Sequence, residues 1–182
     1  YIFTTVNHLE AMIKQVSFRN DVLPLKNILY RLALRITLNS AEAEDIVQDT
    51  LIKVWNKRDS WAEIESIEAF SITVCRNLAL DRISKHDNQN ASLDEQGIDR
   101  QDTAYDPYER TQQRNKVELV RQIIDSLPVK QRECIQLRDF EGKAYKEIAS
   151  LLNITEEQVK VNIFRARQAI KQRFTQLDGY GL

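Results

Sequence analysis

The sequence predicts an all-α protein, two small helical domains joined by an acidic, flexible linker. Four glycines and three prolines punctuate 182 residues, too few for an all-β chain that turns roughly every ten residues. Apolar side chains recur at spacings of three and four over most of the chain, the period of an amphipathic helix. The third observation is the distribution of charge. The formal net charge of −1 argues against a nucleic-acid binder only if charge is evenly spread, and it is not. Residues 1–86 hold 11 basic and 11 acidic residues, 87–113 hold 2 and 7, and 114–182 hold 13 and 9, giving 0, −5 and +4. The middle stretch is rich in Asp, Asn and Gln, with Leu93 and Ile98 as its only large aliphatics. It reads as a linker, because structureless loops of that length are rare inside compact domains. The domains are therefore placed at 1–86 and 114–182.

Inventory excludes several functions. None of the glycines has the partner glycines of a dinucleotide turn, a phosphate loop or a nucleophile elbow. Cys75, Cys134, His8 and His86 are scattered without ligand spacing, so no metal, no cofactor and no catalytic group is expected. Unpaired cysteines in apolar segments suit buried thiols in a reducing cytoplasm. No apolar run approaches the roughly 18 residues of a membrane span and no signal peptide opens the chain, so membrane insertion is not expected. Tyr1 in place of an initiator Met is expected of a trimmed N-terminus.

In the first domain, Leu25, Ile28, Leu29, Leu32 and Ile36 mark one helix, and Ser40 can cap a second that runs to about Trp55. On a helical wheel Ile46, Val47, Thr50, Leu51 and Val54 face inward. Asp45, Gln48, Asp49, Ile52 and Asn56 face outward. An acidic, amide-bearing face with one isoleucine repels phosphate but can dock on a basic protein surface, and a merely solvated face fits the same wheel equally well. A third helix, about Ser66 to Lys85, is apolar on more than one side and should be central. It carries a polar stripe of Thr73, Asn77, Asp81 and Ser84 with Arg76, Arg82 and Lys85 nearby. Such groups are what reading single-stranded bases and phosphates requires. Trp61, in the preceding loop, suits a base-stacking platform or, the commoner use, partial core.

The second domain is more specific. Val117, Val120, Ile123, Ile124 and Leu127 mark a helix stopped by Pro128, and another runs from about Val129 to Phe140 before Gly142. A short helix with Ile148, Ala149 and Leu152 inward then meets a tight turn at Asn153 and Ile154. Thr155 and Gln158 form a capping box for the last helix. This is a helix-turn-helix. Val159, Ile163, Ala166 and Ile170 fix the buried face of the last helix, leaving Glu157, Val161, Phe164, Arg165, Gln168 and Gln172 outward, with Lys160, Arg167 and Lys171 on one flank. A solvated helix end would not expose both Val161 and Phe164. In the major groove they can meet thymine methyls and sugars while Arg and Gln meet base edges.

Three stretches carry a family likeness: AEAEDIVQDTLIKVW at Ala41 to Trp55, AFSITVCRNLALDRISK at Ala69 to Lys85, and the long run from Leu127 to Ile170. In this order the chain resembles the extracytoplasmic-function sigma factors of bacterial RNA polymerase, the minimal sigma-70 type with only regions 2 and 4. The resemblance implies a transcription initiation factor with core polymerase and promoter DNA as partners, and an anti-sigma protein as regulator. It implies that Asp45, Gln48 and Asp49, with Ile52 beside them, meet the polymerase clamp helices. It implies that the loop from Trp61 to Glu68 and the helix after it, with Asn77, Asp81, Arg82 and Lys85, read and open the minus-ten element. Lys160, Val161, Phe164 and Arg165, with Arg167 and Gln168 on the same surface, would read the minus-thirty-five element. The linker would thread toward the polymerase cleft. Departures from the family pattern are Glu157-Gln158 and Val161, which remove a hydroxyl contact to DNA, and a thin basic run after Lys85. The alternative is a helix-turn-helix regulator whose N-terminal bundle senses a ligand or protein without binding polymerase.

Overall fold

The computed structural model describes residues 16–91 and 112–178, and all regular elements among them are helices or helical turns. Most of the expected linker, 92–111, lies outside the described residues, as do Leu93 and Ile98. The chain divides into two compact units between Leu80 and Asp81, which falls within the third long helix.

The first unit opens with a π-helical turn, Phe18–Val22, and a 3-10 turn, Leu23–Leu25. Ser17 and Asp21 fix the entry reciprocally: the Ser17 N–H donates to the Asp21 carboxylate at 2.7 Å, and the Asn20 N–H to the Ser17 hydroxyl at 3.4 Å. Helix α1, Lys26–Thr37, follows. It ends at Leu38 in the left-handed region (φ 57°), whose N–H donates to the Leu34 carbonyl at 2.8 Å. Helix α2 spans Ser40–Asn56, and its cap is Asn39, not the expected Ser40: the Asn39 side chain accepts from the Glu42 N–H at 3.1 Å. Asn and Ser compete as caps on nearly equal terms, and the left-handed Leu38 sets which residue is extended at the helix entry.

Leu29, Leu32, Ala33 and Ile36 of α1 are buried, as are Ala43, Ile46, Val47, Thr50 and Val54 of α2, so the two helices pack along their predicted faces. Thr50 keeps its hydroxyl satisfied by donating to the Ile46 carbonyl at 2.7 Å. Helix α3, Ile67–Ala91, brings Ser71, Ile72, Cys75 and Ala79 into this core. The Cys75 thiol sits 3.4 Å from the Leu29 carbonyl and also bonds Thr50, which joins α3 to both other helices. Burial pushes that thiol up to about 12. The expected end of α3 at Lys85 is too early by six residues, because nothing from His86 to Ala91 breaks a helix before Gly97. The linker boundary at 87 is corrected accordingly, and at its other end Gln112 and Gln113 already belong to the next helix.

The second unit holds α4, Gln112–Asp125, and α5, Val129–Ile135, which runs on into a π-helical turn, Gln136–Phe140. The predicted single helix to Phe140 is therefore widened at its end. Gln136 is buried there and its amide donates to the Glu141 carboxylate at 2.8 Å. Arg132, also buried, closes the end of α4 by donating to the Asp125 and Leu127 carbonyls at 3.1 and 2.6 Å. Gly142 turns the chain at φ 69°, a conformation that costs glycine little. Helices α6, Tyr145–Leu152, and α7, Glu156–Asp178, complete the unit. Its core holds Ile123, Ile124, Leu127, Leu137, Ile148 and Ile163.

Candidate nucleic-acid interface

The helix-turn-helix is assembled by local hydrogen bonding. The Glu147 carboxylate accepts from the Ala144 N–H at 2.7 Å and so caps α6 from within its first turn. At the other end Asn153 adopts φ 52° and ψ 52°, a conformation that Asn tolerates better than most residues. The Ile154 N–H then reaches the Ala149 carbonyl at 3.0 Å and the Asn153 N–H reaches Ser150 at 3.4 Å, the paired bonds of a Schellman turn. The next residue, Thr155, caps α7. The Gln158 N–H donates to the Thr155 hydroxyl at 3.2 Å and the Thr155 N–H to the Gln158 side chain at 3.0 Å, the reciprocal box that the spacing predicts.

Val159, Ile163 and Ala166 are buried, so the predicted back face of α7 is correct over its first three turns. Ile170, predicted with them, is half-buried and lines a shallow groove with Val120 and Phe174. Val161 and Phe164 stand out at 45% and 63% exposure. Lys160, Arg165 and Gln168 are exposed beside them. Glu157 stays ionised, its carboxyl held below the usual range by its own backbone N–H, then by the Thr155 hydroxyl and the Lys160 ammonium. The first turn of α7 therefore carries a fixed negative charge, and positive charge begins at Lys160.

Arg167 differs from its neighbours. Its guanidinium grips Asp139 in the π-helical turn, with Nε 3.1 Å from one carboxylate oxygen and the second contact made through Nη2. This carboxylate raises the arginine further above its ordinary range. Sequence reading missed Asp139, which lies 28 positions away and has no periodic relation to Arg167.

In the first unit Asp45, Gln48, Asp49 and Ile52 are all exposed on one side of α2, Ile52 at 57%. On α3, Asn77 and Asp81 are exposed, Arg82 is half-buried and Lys85 is exposed. The Thr73 hydroxyl donates to the Ala69 carbonyl at 2.9 Å and Thr73 is half-buried. Trp61 corrects one expectation. It is only 8% exposed, and its indole N–H donates to the Val54 carbonyl at 3.1 Å, at the end of α2. Phe18 stacks parallel to its ring with centroids 6.5 Å apart, and Trp55 meets it edge-on at 6.2 Å. With Val22, Val54, Ile64 and Phe70 packed around it, the ring offers no free face to a base. The exposed aromatic here is Trp55, at 45%, with the Arg58 guanidinium 5.0 Å from its ring centre.

Comparison with known families matches two separate stretches of the chain. The Sigma-70 region 2 family model matches residues 22–89, and the Sigma-70 region 4 model matches 118–170. The ECF RNA polymerase sigma factor SigL of Mycobacterium tuberculosis is 30% identical over 82% of this chain and 84% of its own length. This chain belongs to the extracytoplasmic-function sigma factors. The sigma factor SigM of Bacillus subtilis is 27% identical over 80% of this chain and 87% of its own. Among solved structures, the sigma factor RpoE in complex with the anti-sigma factor NepR from Bartonella quintana superposes with a TM-score of 0.72 at 24% identity. It covers 87% of this chain and 96% of that one, which supports the fold.

As a sigma factor the protein is a transcription initiation factor that directs RNA polymerase to promoters. The matches extend over both units, so the reading of the first unit as an unrelated sensing bundle is set aside. Among the described residues no helix is long and apolar enough to cross a membrane, and no cluster of His, Cys, Asp and Glu could hold a metal ion.

Proposed function

We propose that the sigma factor divides its work between the two units as follows. The outer face of α2, with Asp45, Gln48, Asp49 and Ile52, docks on a basic surface of core polymerase. The exposed polar side of α3, with Asn77, Asp81, Arg82 and Lys85, meets the unpaired strand of the minus-ten element. Extruding a base costs a few kcal/mol, and capture of the base in a polar site offsets part of it. The outer face of α7 reads the minus-thirty-five element as duplex, with Val161 and Phe164 on thymine methyls or sugars and Lys160, Arg165 and Gln168 on phosphates or base edges. The acidic 92–111 stretch connects the two and occupies a basic path in polymerase.

The observation that carries this reading is the exposure of Val161 and Phe164 between cations on a helix whose opposite face is buried. Bonds are made by the polymerase, and this chain contributes binding alone. It works in the reducing cytoplasm, where Cys75 and Cys134 stay as thiols outside any disulfide. An anti-sigma protein that covers the exposed apolar side chains regulates it, a reading supported by the complex of the sigma factor RpoE with the anti-sigma factor NepR among its structural neighbours.

The test is transcription by core polymerase on a pool of random promoter fragments, with wild-type protein and with Asp45→Arg plus Gln48→Ala. Wild type should select fragments sharing two spaced elements, and the double variant should lose polymerase in a pull-down while its circular dichroism is unchanged. Retained pull-down would remove α2 from the docking surface.

A further inference from the structure

The last helix is held unevenly. Val159, Ile163 and Ala166 anchor its first half at no more than 2% exposure. One turn later Ile170 is half-buried, and with Phe174 and Val120 it lines an open groove. Apolar packing thus weakens where the DNA-reading surface ends, and the later turns are tied mainly by polar contacts, Arg173 to the Ser126 hydroxyl and Lys116 to the Phe174 ring. The Arg167 grip on Asp139 lies at this changeover.

The partner of that grip is itself fixed. Asp139 sits in the π-helical turn that follows α5, closed by the Glu141 N–H bond to the Gln136 carbonyl at 3.1 Å. Its neighbour Arg138 points the other way, donating to the Lys143 carbonyl at 2.8 Å and lying 4.8 Å from the ring centre of Tyr145, the first residue of α6. Two consecutive side chains on one turn therefore hold the first helix of the helix-turn-helix and the second. The planar guanidinium fork fixes direction as well as distance, which a single-point contact cannot do.

We propose that Arg167 is a positioning residue, not a DNA contact: through Asp139 it sets the angle at which α7 enters the major groove. The proposal rests on the reading of α7 as the minus-thirty-five helix. The two roles predict opposite signs for one substitution. If Arg167 bound DNA, Asp139→Asn would release it from a competing carboxylate and remove a negative charge near phosphate, so promoter binding would stay the same or tighten. If Arg167 positions α7, the same change loosens the helix and binding weakens, by about fivefold for an exposed bidentate pair.

The experiment uses the full chain bound to core polymerase, and as probe the strongest duplex that the wild-type holoenzyme selects from random-sequence DNA. Asp139→Asn and Arg167→Ala should each weaken binding about fivefold, equally on duplexes carrying single changes in the minus-thirty-five element. Asp139→Arg combined with Arg167→Asp should restore most of the loss by rebuilding the pair with its charges exchanged. The side chains are 53% exposed at Arg167 and 33% at Asp139, so the fold survives, as thermal melts will record. Tighter or unchanged binding by Asp139→Asn, or failure of the exchange to restore binding, overturns the proposal. If the wild-type holoenzyme selects no duplex, the promoter-reading assignment of α7 falls and the positioning role falls with it.

Discussion

Replacing Trp61 by alanine separates a core tryptophan from a base-stacking one. The side chain is 8% exposed, so nearly all of an indole's roughly 200 Å² is removed from water, worth an upper estimate of about 4 to 5 kcal/mol at 25 cal/mol per Å². Truncation also strips the Val54 carbonyl of the indole N–H that reaches it at 3.1 Å, adding about 1 kcal/mol. Incomplete relaxation around the cavity keeps the total in the usual range of about 3 to 5 kcal/mol for such a change. Against a typical domain stability of about 5 to 15 kcal/mol that loss is large. Both tryptophans of the chain, Trp55 and Trp61, lie in the first unit. Fluorescence of the remaining Trp55 therefore follows the unfolding of that unit in urea, and the midpoint should fall sharply while the slope stays constant. Trp61→Phe keeps the ring and should cost about 1 to 2 kcal/mol, the lost hydrogen bond plus a small void. If Trp61→Ala leaves the midpoint unchanged and only strand opening is lost, the core assignment is wrong and the ring serves the bases.

Other outcomes follow from the second unit and the thiols. Replacing Lys160 and Arg165 by alanine should cost about 1 to 3 kcal/mol of promoter affinity for each base contact removed and lower the salt slope by about one for each phosphate contact; a slope that stays the same would falsify their assignment to DNA. Thr155→Ala breaks the reciprocal bonds to Gln158 at 3.2 and 3.0 Å and should destabilise the second unit by about 0.5 to 2 kcal/mol in a thermal melt, whereas Thr155→Ser should not. Cys75, buried and pushed up to about 12, stays a neutral thiol at pH 8. A disulfide reagent should therefore label it only as the first unit unfolds, and prompt labelling of the native protein would contradict its burial.

Much of this molecule is legible without coordinates because its helices obey a one-dimensional rule. The inward faces of α1 and α2 and the first three turns of α7 follow from spacing alone, since residues three and four apart share a side of any helix. The Thr155 box could be read in the same way, because a cap involves only residues three positions apart. Exposure of Asp45, Gln48, Asp49 and Ile52 follows as the complement of a buried face. Periodicity fails where a helix has no sharp stop, as after Lys85, and where two cap-forming residues adjoin, as at Asn39 and Ser40.

Other features depend on which elements meet. Whether Trp61 is core or platform turns on Phe18 and Val22, some forty residues earlier, and on the Val54 carbonyl near the end of α2, which accepts the indole N–H. Whether Arg167 faces DNA or Asp139 turns on a widened turn that brings a carboxylate 28 positions away against it. The sequence by itself determined the helices, their apolar sides, the uneven spread of charge and, through its motifs, the family. Only the tertiary structure decided which polar and aromatic side chains are already engaged within the protein, because hydrogen bonds and ion pairs are short-ranged and directional. Apolar burial needs only the correct side of a helix, whereas a guanidinium or an indole N–H needs a particular partner at a particular place.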